Sequence, residues 1–328
     1  DMRARFSRVV VRYTDDGEPV TAEQLEAAGS MAVIMRDALA PNLLQTLENT
    51  PVIVHAGPFG NIAHGNSAVV GDLIGIRGGD SLITEAGFGA DMGAERFFNI
   101  KCRSSGLVPD EAILVVTVRA LKAHSGKHRI VAGRDLPVEL LHENPDEVLA
   151  GAANLTKQIE NVRLHGITPV VALNAFDSDF ASEHRVIEQT AAEAGAHVAT
   201  CTNHRDGGAG ALDLARAVVA ACAAPGDFHY LYPDDASLTA KIETIATRIY
   251  GAAAVDYTPA AARQLASFEE QGLGHLPVCV AKTHLSLSAD PSLVGSPVGH
   301  TLPVREVRAS VGAGFIYPIC GEMRTMPG

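Results

Sequence analysis

The run Ile113-Leu114-Val115-Val116 is the feature that most limits what this chain can become. Four large apolar residues in a row leave no polar alternate for water. A strand of this kind is buried on both faces, as in parallel sheets flanked by helices. Similar runs predict strands at Pro51–His55, Ser81–Thr84, Ala112–Val118, Thr168–Asn174, His197–Thr200 and Leu276–Lys282. Helical patterns lie between and beside them, at Ala22–Ala38, Asp146–His165, Ser182–Ala194, Ala211–Ala223, Leu238–Tyr250 and Pro259–Gln271. A last pair of strands, Leu302–Arg308 and Gly314–Ile319, brackets Gly312. The alternation predicts an α/β fold with mostly parallel sheets. The stretch Ser125 to Pro145 is rich in His, Gly, Pro and charge and reads as a long surface loop or domain connection.

Composition narrows the function. The 328 residues carry a formal net charge of -12. That balance argues against a nucleic-acid partner, which needs clustered Lys and Arg. Anionic ligands remain open, because helix N-termini and single cations hold them locally. The five cysteines form no C-x-x-C pair, which argues against zinc ribbons and disulfide frameworks and for a reduced, cytoplasmic location. No apolar run reaches membrane-spanning length, and Asp213 and Arg216 interrupt the most apolar helix. The chain opens on Asp1 and closes on Met326-Pro327-Gly328, and both ends read as cut.

Three loops follow strands and carry glycine. Gly87, Gly89 and Gly93 give G-x-G-x-x-x-G, one residue off the dinucleotide fingerprint. Glycines there let the backbone approach a ligand, and a tight strand-to-helix turn explains them equally well. The strand after Gly93 ends at Arg119, without the acidic residue a dinucleotide site needs. His55 to Gly65 clusters two histidines, Asn61 and several glycines, with loop hydrogen bonding as the plain alternative to ligand contact. Gly207-Gly208-Ala209-Gly210 precedes a helix and fits an anion cradle or a flexible entry. No P-loop is present: the nearest candidate, Gly126-Lys127, fails at Leu121 and His128. His124 and His128 lack helical continuity across Ser125-Gly126, so no metal site is expected.

Taken in order, the runs are more specific. Arg5–Val11, Asn42–Pro51, Gly57-Pro58-Phe59 with Asn61–Gly65, Thr84–Asp91, Lys101-Cys102-Arg103, Val118–Lys122, Ala153-Asn154-Leu155, Ile159-Glu160-Asn161, Val304–Arg308 and Met326-Pro327-Gly328 together resemble the formate–tetrahydrofolate ligase family, central and C-terminal portion. The resemblance implies ATP-dependent formation of formyl phosphate and transfer of its formyl group to N10 of tetrahydrofolate. It implies ATP with Mg2+, tetrahydrofolate as substrate, a monovalent cation as an option, and a homo-oligomer, tetrameric in the family. It gives Gly87, Phe88 and Gly89 to the formyl phosphate loop, with Thr84, Glu85 and Asp91 as substrate-binding neighbours. Phe176 matches one aromatic wall of the folate site. The second wall is a tryptophan in the family, and His204 stands there in a chain without any Trp. Lys282, Ser286 and Ser288 fall in a run associated with the nucleotide side, where Leu285 and Leu287 replace aromatics.

The family's P-loop and its formyl-phosphate arginine lie upstream of any residue here. The implied layout is an α/β middle portion at 1–82, part of a P-loop-NTPase-like large domain at 83–150, and a C-terminal folate-binding α/β domain at 151–328. Residues 83–150 are then expected to be incompletely covered. The alternative to a complemented ligase is a catalytically impaired folate- or nucleotide-binding or scaffolding protein.

Overall fold

The computed structural model describes residues 1–55, 61–128, 130, 135–224 and 226–323. Two hairpins open the chain. β1 (Val10–Tyr13) pairs antiparallel with β2 (Pro19–Thr21), and β3 (Asn42–Gln45) with β4 (Pro51–Val54). The second hairpin turns through Asn49, whose φ of 63° suits an Asn. β4 matches the strand expected at Pro51–His55, while β1, β2 and β3 are short and partly or fully exposed, so alternation does not announce them. The expected Ala22–Ala38 helix is broken: Glu26 sits at φ 54°, and only Ala28–Ile34 is α-helical, followed by a 3-10 turn at Arg36–Leu39.

The centre is a parallel sheet of β5 (Ile113–Val116), β6 (Val170–Asn174) and β7 (His197–Cys201), with β6 in the middle. The expectation that Ile113–Val116 is buried on both faces needs correction. β5 lies at the edge, Ile113 and Val115 are exposed, and β6 is the fully covered strand. The Pro145–Arg163 helix packs beside β5 and β6 for reasons its sequence states. Asn144 caps it by accepting from Glu147 N–H, Pro145 opens it, and Arg163 closes its last turn. Val148, Ala152, Leu155, Ile159 and Val162 form its buried stripe. A side chain at Gly151 would meet Leu121 O at 1.9 Å, so glycine lets this helix touch the Val118–His124 helix.

A second core lies under β8 (Ala254–Tyr257), β9 (Thr301–Ser310) and β10 (Phe315–Cys320). β8 runs parallel to β9, and β9 antiparallel to β10. The helices Leu238–Thr244 and Pro259–Glu270 and the wide-turn segment Ile245–Ile249 cover it. Leu276–Lys282 lies along β10 but is joined only by isolated bridges. Cys279 and Ala281 N–H donate to Ile316 and Pro318, while Pro318 has no N–H to return, so the ladder loses a rung. Ser81–Thr84 is also not a strand. It approaches Asn66 instead, and the nearby Ala86 forms one bridge with it. Helical stretches without a sequence expectation include Met2–Ser7, Val69–Gly78, Val118–His124, and a wide-turn stretch through Ala90–Ala94 and Phe97–Cys102 that joins the cores.

Candidate functional site

Gly65 and Gly93 permit close backbone approach between two loops. A Cβ on Gly65 would meet Gly93 O at 2.2 Å, and one on Gly93 would meet Gly87 O at 1.7 Å. Gly65 also sits at φ 82°. This packing zips the two loops singled out in the sequence onto each other. Gly87 N–H donates to Gly65 O at 3.0 Å. Asn66 Nδ2 donates to Glu85 O at 2.8 Å, and Thr84 Oγ1 donates to Asn66 Oδ1 at 2.9 Å. Lys101 ties Asn66 to Asp72 of the Val69–Gly78 helix through a buried ion pair. Burial pulls the Lys101 ammonium below the usual lysine range, against the pull of Asp72.

The far side of the loop is pinned too. Asp91 is buried, with Oδ2 on Lys282 Nζ at 2.8 Å and Oδ1 accepting from Gln158 Nε2 at 3.0 Å. A Cβ on Gly89 would lie 2.5 Å from Asp91 Oδ1, so glycine is needed there. Between these anchors Phe88 stands out, 47% exposed and at φ 63°. A non-glycine residue held there is strained, a feature common at ligand clamps. Its ring lies 5.4 Å from the His284 ring. Gly87 N–H is engaged. Among the described residues no protein acceptor is bonded to Phe88 or Gly89 N–H. The result is an anchored loop offering two backbone donors and an aromatic face. Glu85 is exposed beside it.

Lys282, Ser286 and Ser288 lie behind this loop. Lys282 is fully buried, and its three protons match Asp91, Thr283 O and Ser286 O. Ser286 Oγ and Ser288 Oγ lie 2.9 Å apart and within hydrogen-bond reach of Leu293 O and Asp290 O, and their two protons are shared among these contacts. All three brace the segment that carries His284. They meet a ligand directly only by giving up these partners.

Phe176 and His204 form a separate cluster at the C-terminal ends of β6 and β7, where open α/β sheets bind ligands. Phe176 N–H donates to Asp179 at 2.9 Å, and the Arg119 guanidinium covers its ring at 4.1 Å. His204 is exposed in the short turn Asn203–Asp206. The β3–β4 turn reaches this cluster: Glu48 Oε1 accepts from Gly208 N–H at 3.0 Å. Among the described residues no hydrogen bond or ring contact joins the two clusters directly. The Pro145–Arg163 helix connects them, touching Asp91 through Gln158 and packing on the sheet that carries Phe176.

Asn66, Gln158, Glu48, Arg119 and His284 carry no role that the sequence alone suggests. Asn66 stands one residue beyond the histidine–glycine run, and Arg119 lies within one of the family-like runs, so proximity is the only signal either one gives. The Ala56–Gly60 segment and Thr325-Met326-Pro327-Gly328 lie outside the described residues. Among the described residues no group of three or more His, Cys, Asp or Glu is placed to hold a metal, and no helix is long and apolar enough to cross a membrane.

Comparison with known proteins agrees with the order of the loops. The model of the formate–tetrahydrofolate ligase family matches residues 1–328. A formate–tetrahydrofolate ligase of Saccharopolyspora erythraea is 68% identical over the whole chain, which covers 58% of that relative. A formate–tetrahydrofolate ligase of Cutibacterium acnes is 61% identical with the same coverage. Formate–tetrahydrofolate ligase 3 of Rubrobacter xylanophilus is also 61% identical, with 59% of its length covered. The chain thus spans somewhat under two thirds of the curated relatives it matches.

Proposed function

The chain belongs to the formate–tetrahydrofolate ligase family, and on that basis we propose that it supplies the formyl phosphate loop and the folate-facing wall of an ATP-dependent ligase making 10-formyltetrahydrofolate. The observation that carries this reading is the pinned Gly87-Phe88-Gly89 loop with its two available N–H groups.

Formate as a carboxylate resists attack by an amine. Phosphorylation by ATP converts it to a mixed anhydride, and N10 of tetrahydrofolate then attacks the formyl carbon and releases phosphate. Backbone donors fixed beforehand stabilise the developing charge without reorganising. Phe88 and Gly89 N–H are assigned that task. Asp91 and Lys282 hold the loop, and Thr84 and Glu85 border the substrate. Lys282, Ser286 and Ser288 shape the nucleotide side from behind through the His284 segment. Phe176 and His204 flank the folate ring. Mg2+ enters with the ATP phosphates, and an added monovalent cation is an option. The roles given to this chain's residues do not pass through either.

We assign residues 83–150 to the nucleotide-binding side and 151–328 to the folate-binding side, with the Pro145–Arg163 helix and the β5–β6–β7 sheet shared across that division, in a homo-oligomeric, cytoplasmic enzyme. The unpaired edge of β5 supports a sheet that continues with further strands. The test mixes this chain with the remaining portion of a relative, ATP, formate and tetrahydrofolate. Formation of 10-formyltetrahydrofolate that is lost on Phe88→Ala supports the reading. Product that is indifferent to Phe88 sinks the loop's role.

His204 favours a second reading, a folate-binding or scaffolding protein with impaired catalysis. An imidazole offers less stacking area than an indole. Tight folate binding without turnover in the same mixture distinguishes it.

A further inference from the structure

Arg119 forms no ion pair with any acid among the described residues. It follows β5 directly, in the Val118–His124 helix, and its guanidinium lies flat enough over Phe176 to sit 4.1 Å from the ring centre. Nη2 donates to Ser178 Oγ at 2.9 Å. Nε is buried and without a partner among the described residues. The acids nearest Phe176 in sequence are committed elsewhere. Asp177 pairs with Arg205 at 2.8 Å, while Asp179 accepts from Phe176 N–H and lies 3.5 Å from His184.

An arginine held this way is suited to an oxyanion. Its planar fork matches two oxygens at once, and stacking on an aromatic ring fixes its plane before the ligand arrives. Its position at the strand ends is where α/β sheets place ligands.

We propose that Arg119 is a specificity-determining residue that binds a substrate oxyanion beside Phe176. This rests on the ligase reading, which offers two sources of that chemistry: a carboxylate of the folate's glutamate tail, or a phosphoryl oxygen. The folate carboxylate is favoured because Phe176 is the folate wall and the formyl phosphate loop belongs to the other cluster.

The test is calorimetric titration of the chain and of Arg119→Gln, Arg119→Lys and Phe176→Leu. The probes are tetrahydrofolate, the carboxamide of tetrahydropteroic acid, which lacks the glutamate and carries no carboxylate, and inorganic phosphate. Arg119→Gln removes a charge-assisted hydrogen bond and weakens tetrahydrofolate binding roughly ten- to hundredfold. Binding of the carboxamide changes less than about twofold, a magnitude below one such bond. Arg119→Lys falls between, because it keeps the charge and gives up the fork. Phe176→Leu weakens tetrahydrofolate in the same direction. Loss confined to phosphate assigns the oxyanion to the phosphoryl source and still supports the proposal. Equal loss for tetrahydrofolate and the carboxamide overturns it, since Arg119 then touches the rings. Unchanged binding of every probe in Arg119→Gln overturns it and leaves the ligase reading standing. An unsubstituted chain that binds neither folate nor phosphate overturns both. Circular dichroism melts of each variant separate a binding defect from a folding defect.

Discussion

Residues 1–55 and residues 230–320 use similar apolar residues to opposite effect. In the later region Leu238, Ile242, Ile245 and Ile249 are completely buried under β8–β10. In the earlier one Val33, Ile34, Leu43 and Leu47 stand at 76%, 79%, 76% and 104% exposure, and only Ala22 and Ala28 are buried. The first region is therefore held to the rest by point anchors rather than by a core. Glu48 on Gly208 is one such anchor, and Lys101 on Asp72 fastens the helix that follows. An exposed apolar face of this kind marks an interaction surface. Apolar content alone thus does not predict stability. What counts is whether the chain supplies the opposing surface.

The largest effect is expected from Asp91→Asn, where the Thr84–Asp91 loop is fastened to the later region through Lys282. It leaves the Lys282 ammonium buried without its counter-charge and is expected to cost about 4 kcal/mol. Urea denaturation measures it, and a cost below about 1 kcal/mol means the loop is not pinned as described. Next, Ile249→Ala in the later core is expected to cost about 3 kcal/mol in the same assay.

A pH profile follows. Burial, the largest cause, pushes the Glu95 carboxyl up to about 7 despite Arg96 beside it. The folded state thus holds this proton more tightly than the unfolded one. The stabilisation is complete below the ordinary glutamate value, declines as pH rises, and has gone above about 7. Glu95→Gln is expected to remove that decline, roughly 3 kcal/mol in all. His165 acts oppositely. Burial lowers it to about 4, so its contribution is present above the ordinary histidine range and fades as pH falls through about 4. Measuring urea midpoints from acid to neutral pH in each variant separates the two slopes. The smallest effect is Leu47→Ser at the exposed hairpin tip, expected below about 0.5 kcal/mol. A cost equal to that of Ile249→Ala erases the contrast between the regions.

The parallel β5–β6–β7 sheet and the Pro145–Arg163 helix were legible because their signals are local: an apolar run, a cap, a stripe at helical spacing. In the first hairpins only β4, expected at Pro51–His55, was legible; β1, β2 and β3 were not, because they are three or four residues long and lie partly or fully exposed. The irregular edge at Leu276–Lys282 depended on Pro318 in a different strand. The site divides the same way. Gly87, Phe88 and Gly89 could be named from their spacing and resemblance. That Asn66 zips onto Thr84 and Glu85 could not, since a whole helix intervenes.

Neighbours along the chain were enough for the α/β class, the main helices of the C-terminal half and the family to which the ordered loops belong. Periodicity and capping carry the first two, and the resemblance of the ordered runs carries the third. The burial of Lys282 against Asp91, 191 positions away, came from the folded chain alone, and so did the placing of Arg119 over Phe176. The fold likewise made β5 an edge rather than a covered strand. One cause underlies all three. A charge or an apolar run states what it needs, but burial and pairing are supplied by residues far away in sequence.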